Sequence, residues 1–394
     1  MVKSYIPNLR KPYPLMAQLA MLTTSRIVIN TPFRMVYPLL PVFARELNVS
    51  ISDIALILTG SQLLGLSAPL IGTFSEKHGR SFTVSLGIFV YTISLLAVFL
   101  MPNFLGMAVA MLMSAAGKIA FDPAVQAYIG DRVPYKRRGM ALGIVELAWS
   151  AAFLLGVPTM TWLIANYNWQ APFLFLSLLG VISFIASRII LESDVPQVAS
   201  KVSFLKALKL SVNSRLAVAG LMLAICISGA NQLIAVVFGA WIENSLGILL
   251  SALAAAAFVI GLSELFGEGF VVFFSDRLGK RRLVIWGIIG NILACLILPF
   301  MEFNLTMVLI GLFLFFISFE LSLVATIPLA TELSPNSRAM YMTVLFASFT
   351  FGRALLTPVA PLLFEYGIIA NSFGAISLNL IALFAVWHFI PLDK

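Results

Sequence analysis

Cysteine and histidine are scarce in this 394-residue chain, two of each, and charged residues make up only 11% of it. Cys226 and Cys295 both fall inside long apolar runs, which excludes a disulfide framework. His78, in a polar loop, and His388, near the far end, are too few and too scattered for a metal centre, and no cofactor is expected. A Walker A loop is missing: Gly117-Lys118 and Gly279-Lys280 are followed by Ile119 and Arg281 where serine or threonine is required. ATP is therefore not a direct energy source within the chain. Neither HExxH nor a nucleophile elbow occurs, which argues against a membrane enzyme.

Apolar residues take the place of charge. They make up 60% of the chain, and the mean hydropathy is +1.01, outside the range of soluble domains. A soluble protein of this composition would expose patches it could not cover. Runs near the length of about 20 residues that a helix needs to cross a bilayer lie at 15–43, 51–74, 82–102, 104–129, 139–165, 171–191, 214–242, 248–275, 283–301, 305–330, 339–363 and 369–390. Twelve spans are predicted, six in each half. A transmembrane β-barrel is excluded, because it shows short alternating segments. The first run follows Lys3, Arg10 and Lys11, yet it is too long for a cleaved leader, carries Arg26 and Arg34, and lacks a small-x-small exit site.

The net charge of +8 follows the same topology. With the N-terminus inside, twenty of the 25 Lys and Arg residues fall in inner loops and tails. The outer loops hold Arg45 against Glu46, Asp53, Glu243, Glu302 and Glu365. This asymmetry predicts a multi-pass protein of the cytoplasmic membrane with both termini in the cytoplasm. The basicity then answers to the lipid bilayer, and no nucleic-acid partner is expected.

Two motifs recur at equivalent places. Phe74-Ser75-Glu76-Lys77-His78-Gly79-Arg80 returns as Phe274-Ser275-Asp276-Arg277-Leu278-Gly279-Lys280. Asp131-Arg132-Val133-Pro134, followed by Arg138-Gly139-Met140, returns as Glu332-Leu333-Ser334-Pro335, followed by Arg338-Ala339-Met340. The chain thus reads as two copies of one membrane unit, an arrangement many secondary transporters use to place a site between moving parts. The polar segment 192–213, with Glu192, Asp194, Pro196 and three lysines, separates an N-terminal bundle at 1–191 from a C-terminal bundle at 214–394. It is either a helix lying on the anionic membrane surface or a solvated linker.

The stretch from Gly72 to Arg80 resembles the loop signature of the major facilitator superfamily between its second and third helices. The resemblance covers the whole chain and extends to the drug:proton antiporter and sugar-efflux-like branch. Glu76 stands where the family pattern has aspartate, which Asp276 restores; the branch's glycine-proline in helix five appears as Gly156-Val157-Pro158; Met113 holds the place of the helix-four arginine, four residues before Gly117. The resemblance implies an all-α integral membrane fold of twelve transmembrane helices in two pseudo-symmetric six-helix bundles. It implies a central cavity lined by helices 1, 4, 7 and 10. It also assigns gating to Gly72, Glu76, Gly79, Arg80, Arg138, Asp276, Arg277, Gly279, Lys280 and Arg338, with Glu76 and Asp276 bonding the positively polarised N-terminus of a facing helix.

Once the loops and the span ends are set aside, nine ionisable residues remain inside the spans: Arg26, Arg34, Lys118, Asp122, Glu146, Glu264, Glu268, Glu320 and Arg353. Each costs about 2.5–3.5 kcal/mol on insertion scales at mid-bilayer, so each needs a partner or a watery cavity. Thr23, Arg26, Asn30, Arg34 and Tyr37 share one face of helix one and are expected to line the cavity, unless Arg26 snorkels and Arg34 pairs locally. Lys118 and Asp122 sit one turn apart on helix four, and with Glu146 and Arg26 they predict a buried network, either structural or gating. Asn231, Gln232 and Phe316 are further cavity candidates, although amides in membranes also serve as helix–helix glue. Glu320, on helix ten, has no cation within its own helix and is the first candidate for proton coupling, followed by Asp122, Glu146 and Glu264. Arg353 is the expected charge partner, either of Glu320, which is then structural, or of Glu264 and Glu268 together.

These residues lead to a secondary active transporter working by alternating access. Its leading version is proton-coupled efflux, as an antiporter, of small amphipathic compounds. Uptake or exchange of a small polar or anionic solute, favoured by Arg26, Arg34, Lys118 and Arg353, is the alternative. A non-transporting membrane sensor or scaffold is a third reading. The expected coupling ion is H⁺ and the expected state is a monomer.

Overall fold

A backbone surrounded by hydrocarbon has to satisfy its own N–H and C=O groups, and continuous helices do so within one segment. The structure, a computed structural model, describes residues 13–67, 74–192, 214–247, 250–334 and 338–390, with side chains at all but 135, 136, 276 and 338–340. Its passes are α1 (Leu15–Glu46), α2 (Ile51–Gly65), α3 (Arg80–Leu100), α4 (Phe104–Arg132), α5 (Arg137–Asn166), α6 (Ala171–Ile190), α7 (Arg215–Leu246), α8 (Leu250–Ser275), α9 (Lys280–Phe300), α10 (Leu305–Leu333), α11 (Arg338–Leu356) and α12 (Ile368–Phe389). Among the described residues ten are long and apolar enough to cross a membrane, while α2 and Tyr341–Leu356 of α11 are shorter apolar helices. Thr357 and Pro358 interrupt the eleventh pass before a short continuation, Val359–Phe364. The expected linker at 192–213 lies outside the described residues except for Glu192, whose backbone N–H donates to Tyr128 Oη (3.0 Å).

Local signals repeat between the halves. Asn103 and Asn304 cap α4 and α10, each side chain accepting from a backbone N–H at 3.0 Å. Gly79 and Gly279 precede α3 and α9 with φ of 98° and 86°, a region that side chains rarely enter. Close crossings repeat too. A Cβ on Gly87 of α3 would stand 2.6 Å from the Gly117 carbonyl of α4, and one on Gly287 of α9 would stand 2.6 Å from the Ser322 nitrogen of α10. Small residues let these helices touch backbone to backbone. Gly156 of α5 abuts Thr31 of α1, as Gly352 of α11 abuts Ser228 of α7. The turn before Gly156, Ala152–Gly156, is π-helical, a local rewinding that often accompanies functional sites.

Burial sorts the helices. In their most apolar windows α1 is 83% buried and α7 89%, against 33% for α6 and 39% for α12. The first two are therefore central and the second two peripheral. The halves meet along α2 and α11, along α5 and α8, and where α1 passes the Phe238–Leu246 end of α7. Four hydrogen-bonded contacts cross between described residues of opposite halves: Arg34–Glu264, Tyr37–Gln232, Gln62–Thr357 and Arg45–Glu243. All lie at mid-depth or toward the end that carries Glu46, Glu243 and Glu302, here called the acidic end.

Candidate functional site

The polar face of α1 is distributed over two environments. Near the basic end it points into its own half. Arg26, 7% exposed, holds Glu146 Oε1 at 2.8 Å and Asp122 Oδ1 at 3.2 Å, and donates to the Val145 carbonyl. Lys118 Nζ lies 2.7 Å from Asp122 Oδ2 and donates to Asn30 Oδ1. Two bases and two acids from α1, α4 and α5 are thus joined in one network. Arg26 is anchored rather than snorkelling.

One turn further along, α1 faces the other half. Arg34 donates to Glu264 of α8, and both are buried. Its guanidinium also lies over the rings of Trp149 and Phe153, 3.9 and 4.1 Å from their centroids. Tyr37 Oη accepts from Gln232 Nε2 (3.1 Å) and Gln62 Nε2 (3.3 Å), and Thr357 Oγ1 donates to Gln62 Oε1 (2.9 Å). This belt ties α1 and α2 to α7 and to the break after α11.

Beside the belt lies a cavity of about 310 Å³. Of the residues expected on its wall, Arg34, Tyr37, Lys118, Asn231, Gln232 and Phe316 line it, as do Asp122, Glu264 and Arg353. Arg26 and Asn30 do not, because they belong to the network beneath. Glu320 is set back from the wall. Helices α1, α4, α7 and α10 all contribute, and so do α2, α5, α8 and α11, through Gln62, Trp149, Glu264 and Arg353 among others. Trp149 had a local signal, one turn after Glu146. Gln62 had only its polarity in an apolar run.

Glu320 is 3% exposed and makes no hydrogen bond or ion pair with a described residue. It lies there because α8 has a glycine opposite: a Cβ on Gly267 would stand 2.8 Å from Glu320 Cβ. Gly267 is flanked on its helix by Glu264 and Glu268, so three carboxyls from α8 and α10 gather at one place, with Arg34 and Arg353 as the charged groups of opposite sign that act on Glu320. Arg353 was expected to neutralise these acids. It lies beyond ion-pair distance of all three, and Arg34 takes Glu264 instead, because the outer face of α1 opposes α8 directly.

The loop motifs meet each other. Arg80 Nε lies 3.4 Å from Asp131 Oδ2, and Lys280 Nζ lies 2.5 Å from Glu332 Oε1, so in each half the base of the first repeat pairs with the acid of the second. Glu76 Oε1 is 3.9 Å from Arg80, Arg138 donates to the Val133 carbonyl (3.4 Å), and Arg277 is exposed. Gly72 and the side chains of Asp276 and Arg338 lie outside the described residues.

Comparison with known proteins places the chain beside one family, three relatives and one solved structure. The family model of the Major Facilitator Superfamily matches residues 22–267 and 220–394. The chain is 31% identical over 166 residues to the uncharacterized MFS-type transporter YwfA of Bacillus subtilis (strain 168), a stretch that covers 41% of this chain and 39% of that protein. It is 24% identical over 304 residues to Multidrug resistance protein 2 of the same organism, covering 73% of this chain and 74% of the relative. It is 21% identical over 293 residues to Quinolone resistance protein NorA of Staphylococcus aureus, with coverage of 73% and 74%. Among solved structures, a bacterial homolog of the human lysosomal transporter Spinster, inward-facing and unoccupied, superimposes with a TM-score of 0.75 at 15% identity, covering 95% of this chain and 97% of that one.

Proposed function

The chain belongs to the major facilitator superfamily, and on that footing we propose that it carries small amphipathic compounds across the cytoplasmic membrane in exchange for protons. It is a transporter rather than an enzyme. Alternating access is the working principle: an N-terminal bundle at 1–191 and a C-terminal bundle at 214–394 rock about the cavity between them. The basic end faces the cytoplasm by the positive-inside rule. The bonds that cross between the halves then close the outer side, and the cavity opens inward.

One observation carries the coupling half of this reading. Among the described residues Glu320 is a buried carboxyl with no cation or donor in contact, packed beside Glu264 and Glu268 and directly behind the aromatic wall of the cavity. An ionisable group in such a place is a functional candidate by default, because carrying an unpaired charge there is expensive. A proton on Glu320 removes that cost, and losing it alters the field at Arg34–Glu264, the pair that joins the halves. Export is the direction suggested by the names of the multidrug and quinolone resistance relatives. Proteoliposomes with an internal pH dye test the proposal. Native protein moves protons when an amphipathic solute is added, and Glu320→Gln does not. Equal proton movement by the variant refutes the assignment to Glu320.

A further inference from the structure

Three buried polar atoms on the cavity wall have no hydrogen-bond partner: Arg34 Nε, Asn231 Nδ2 and Arg353 Nε. All three are N–H donors, and two belong to guanidiniums, which have no acceptor capacity. Among the described residues no buried acceptor on the wall is left in the same condition. The charges tell the same story. Arg34 is paired with Glu264 and Lys118 with Asp122, whereas Arg353 has no ion pair with a described residue. The wall therefore presents one cation in excess.

Position turns this excess into a site. Arg353 of α11 and Asn231 of α7 line the same cavity, on helices that touch where Gly352 packs against Ser228. Phe316 and Phe319 of α10 and Phe238 of α7 supply an aromatic surface to the same cavity. A volume of about 310 Å³ is at the small end of ligand pockets, which combine an apolar lining with a few polar groups that fix orientation.

We infer that the transported solute is a small amphipathic anion, an aromatic or aliphatic carboxylate, whose charged end is held by Arg353 with Asn231 beside it and whose apolar body lies on Phe316 and Phe319. The inference rests on the reading of this cavity as a transport site and names the substrate class for it. A planar guanidinium suits a carboxylate because two parallel N–H donors match its two oxygens.

Calorimetric titration of the purified full chain in detergent tests it, with 1-naphthoate, its methyl ester and 1-naphthylmethylammonium as probes of one body and three charges. The naphthoate binds at least about tenfold more tightly than either analogue, the range expected of a charge-assisted hydrogen bond. Arg353→Gln removes that preference, bringing the naphthoate down to the level of the ester, and Arg353→Lys keeps part of it. Equal or tighter binding of the ester or the ammonium overturns the inference on native protein alone, as does an Arg353→Gln variant that keeps the preference. Failure of the transport reading has a different signature: naphthoate binds as described, but proteoliposomes show no saturable flux of it.

Discussion

Arg34→Gln and Glu264→Gln remove the two ends of one buried ion pair, yet their costs should differ. Both residues are buried, at 6% and 2% exposure, and they join α1 to α8 across the two halves. Removing one partner of a buried pair costs about 3–5 kcal/mol, because the survivor is left uncompensated. In Arg34→Gln the survivor is Glu264, close to Glu268 and Glu320 and with no other cation among the described residues in contact, so the full range applies. In Glu264→Gln the survivor is the guanidinium, which keeps its contacts over Trp149 and Phe153. Such contacts contribute up to about 2 kcal/mol when desolvated, so this variant should lose only ~1–3 kcal/mol. The double variant removes both charges and should be less destabilised than the two singles added, with a coupling of at least about 1.5 kcal/mol. Unfolding midpoints of the four proteins in one detergent measure the cycle. Strict additivity, or singles within about 0.5 kcal/mol of native as for ordinary surface changes, would refute the reasoning.

Two further outcomes follow from the same geometry. Arg26→Gln should cost less than Arg34→Gln, about 1–3 kcal/mol, because Lys118 keeps Asp122 paired and the Glu146 side chain is 47% exposed; midpoints in the same detergent give the ranking. Gly79→Ala and Gly279→Ala should each lose about 1–3 kcal/mol from strain at φ of 98° and 86°, whereas Gly143→Ala, with nothing within 4 Å of its added methyl on α5, should be neutral or stabilising.

The fold was legible because its determinants are local. Apolar runs of span length and the echoed loops are each readable within a few turns of chain, and the twelve passes appear where they were expected. Among the described residues α2 and Tyr341–Leu356 of α11 are the shorter passes, the latter interrupted at Thr357 and Pro358. The α1 face was legible by its period, since Arg26, Asn30 and Arg34 recur at helical spacing. What that face meets was not. Arg34 and Glu264 are 230 positions apart, and nothing in either helix says that α1 opposes α8 there while α11 stands off. Arg353 was therefore paired with acids it does not reach. Phe153 escaped notice for another reason: an aromatic residue in an apolar helix offers no contrast until its partner cation is placed. Glu320 was recognised by its unlike surroundings, but its setting behind the wall depends on Gly267 of another helix.

Pairs of spin labels at the two ends of the molecule test the central claim, alternating access, most directly. With Cys226 and Cys295 replaced by serine, one pair is placed at the exposed residues Tyr167 and Phe303 of the acidic end and another at the exposed residues Arg137 and Arg282 of the basic end. Distances are then read across pH and with added amphipathic solute. The account predicts opposite changes, with a longer population at the acidic end growing as a shorter one grows at the basic end. A single unchanged distance at both ends, in a protein shown to bind solute, would contradict it and favour a membrane protein that binds without transporting.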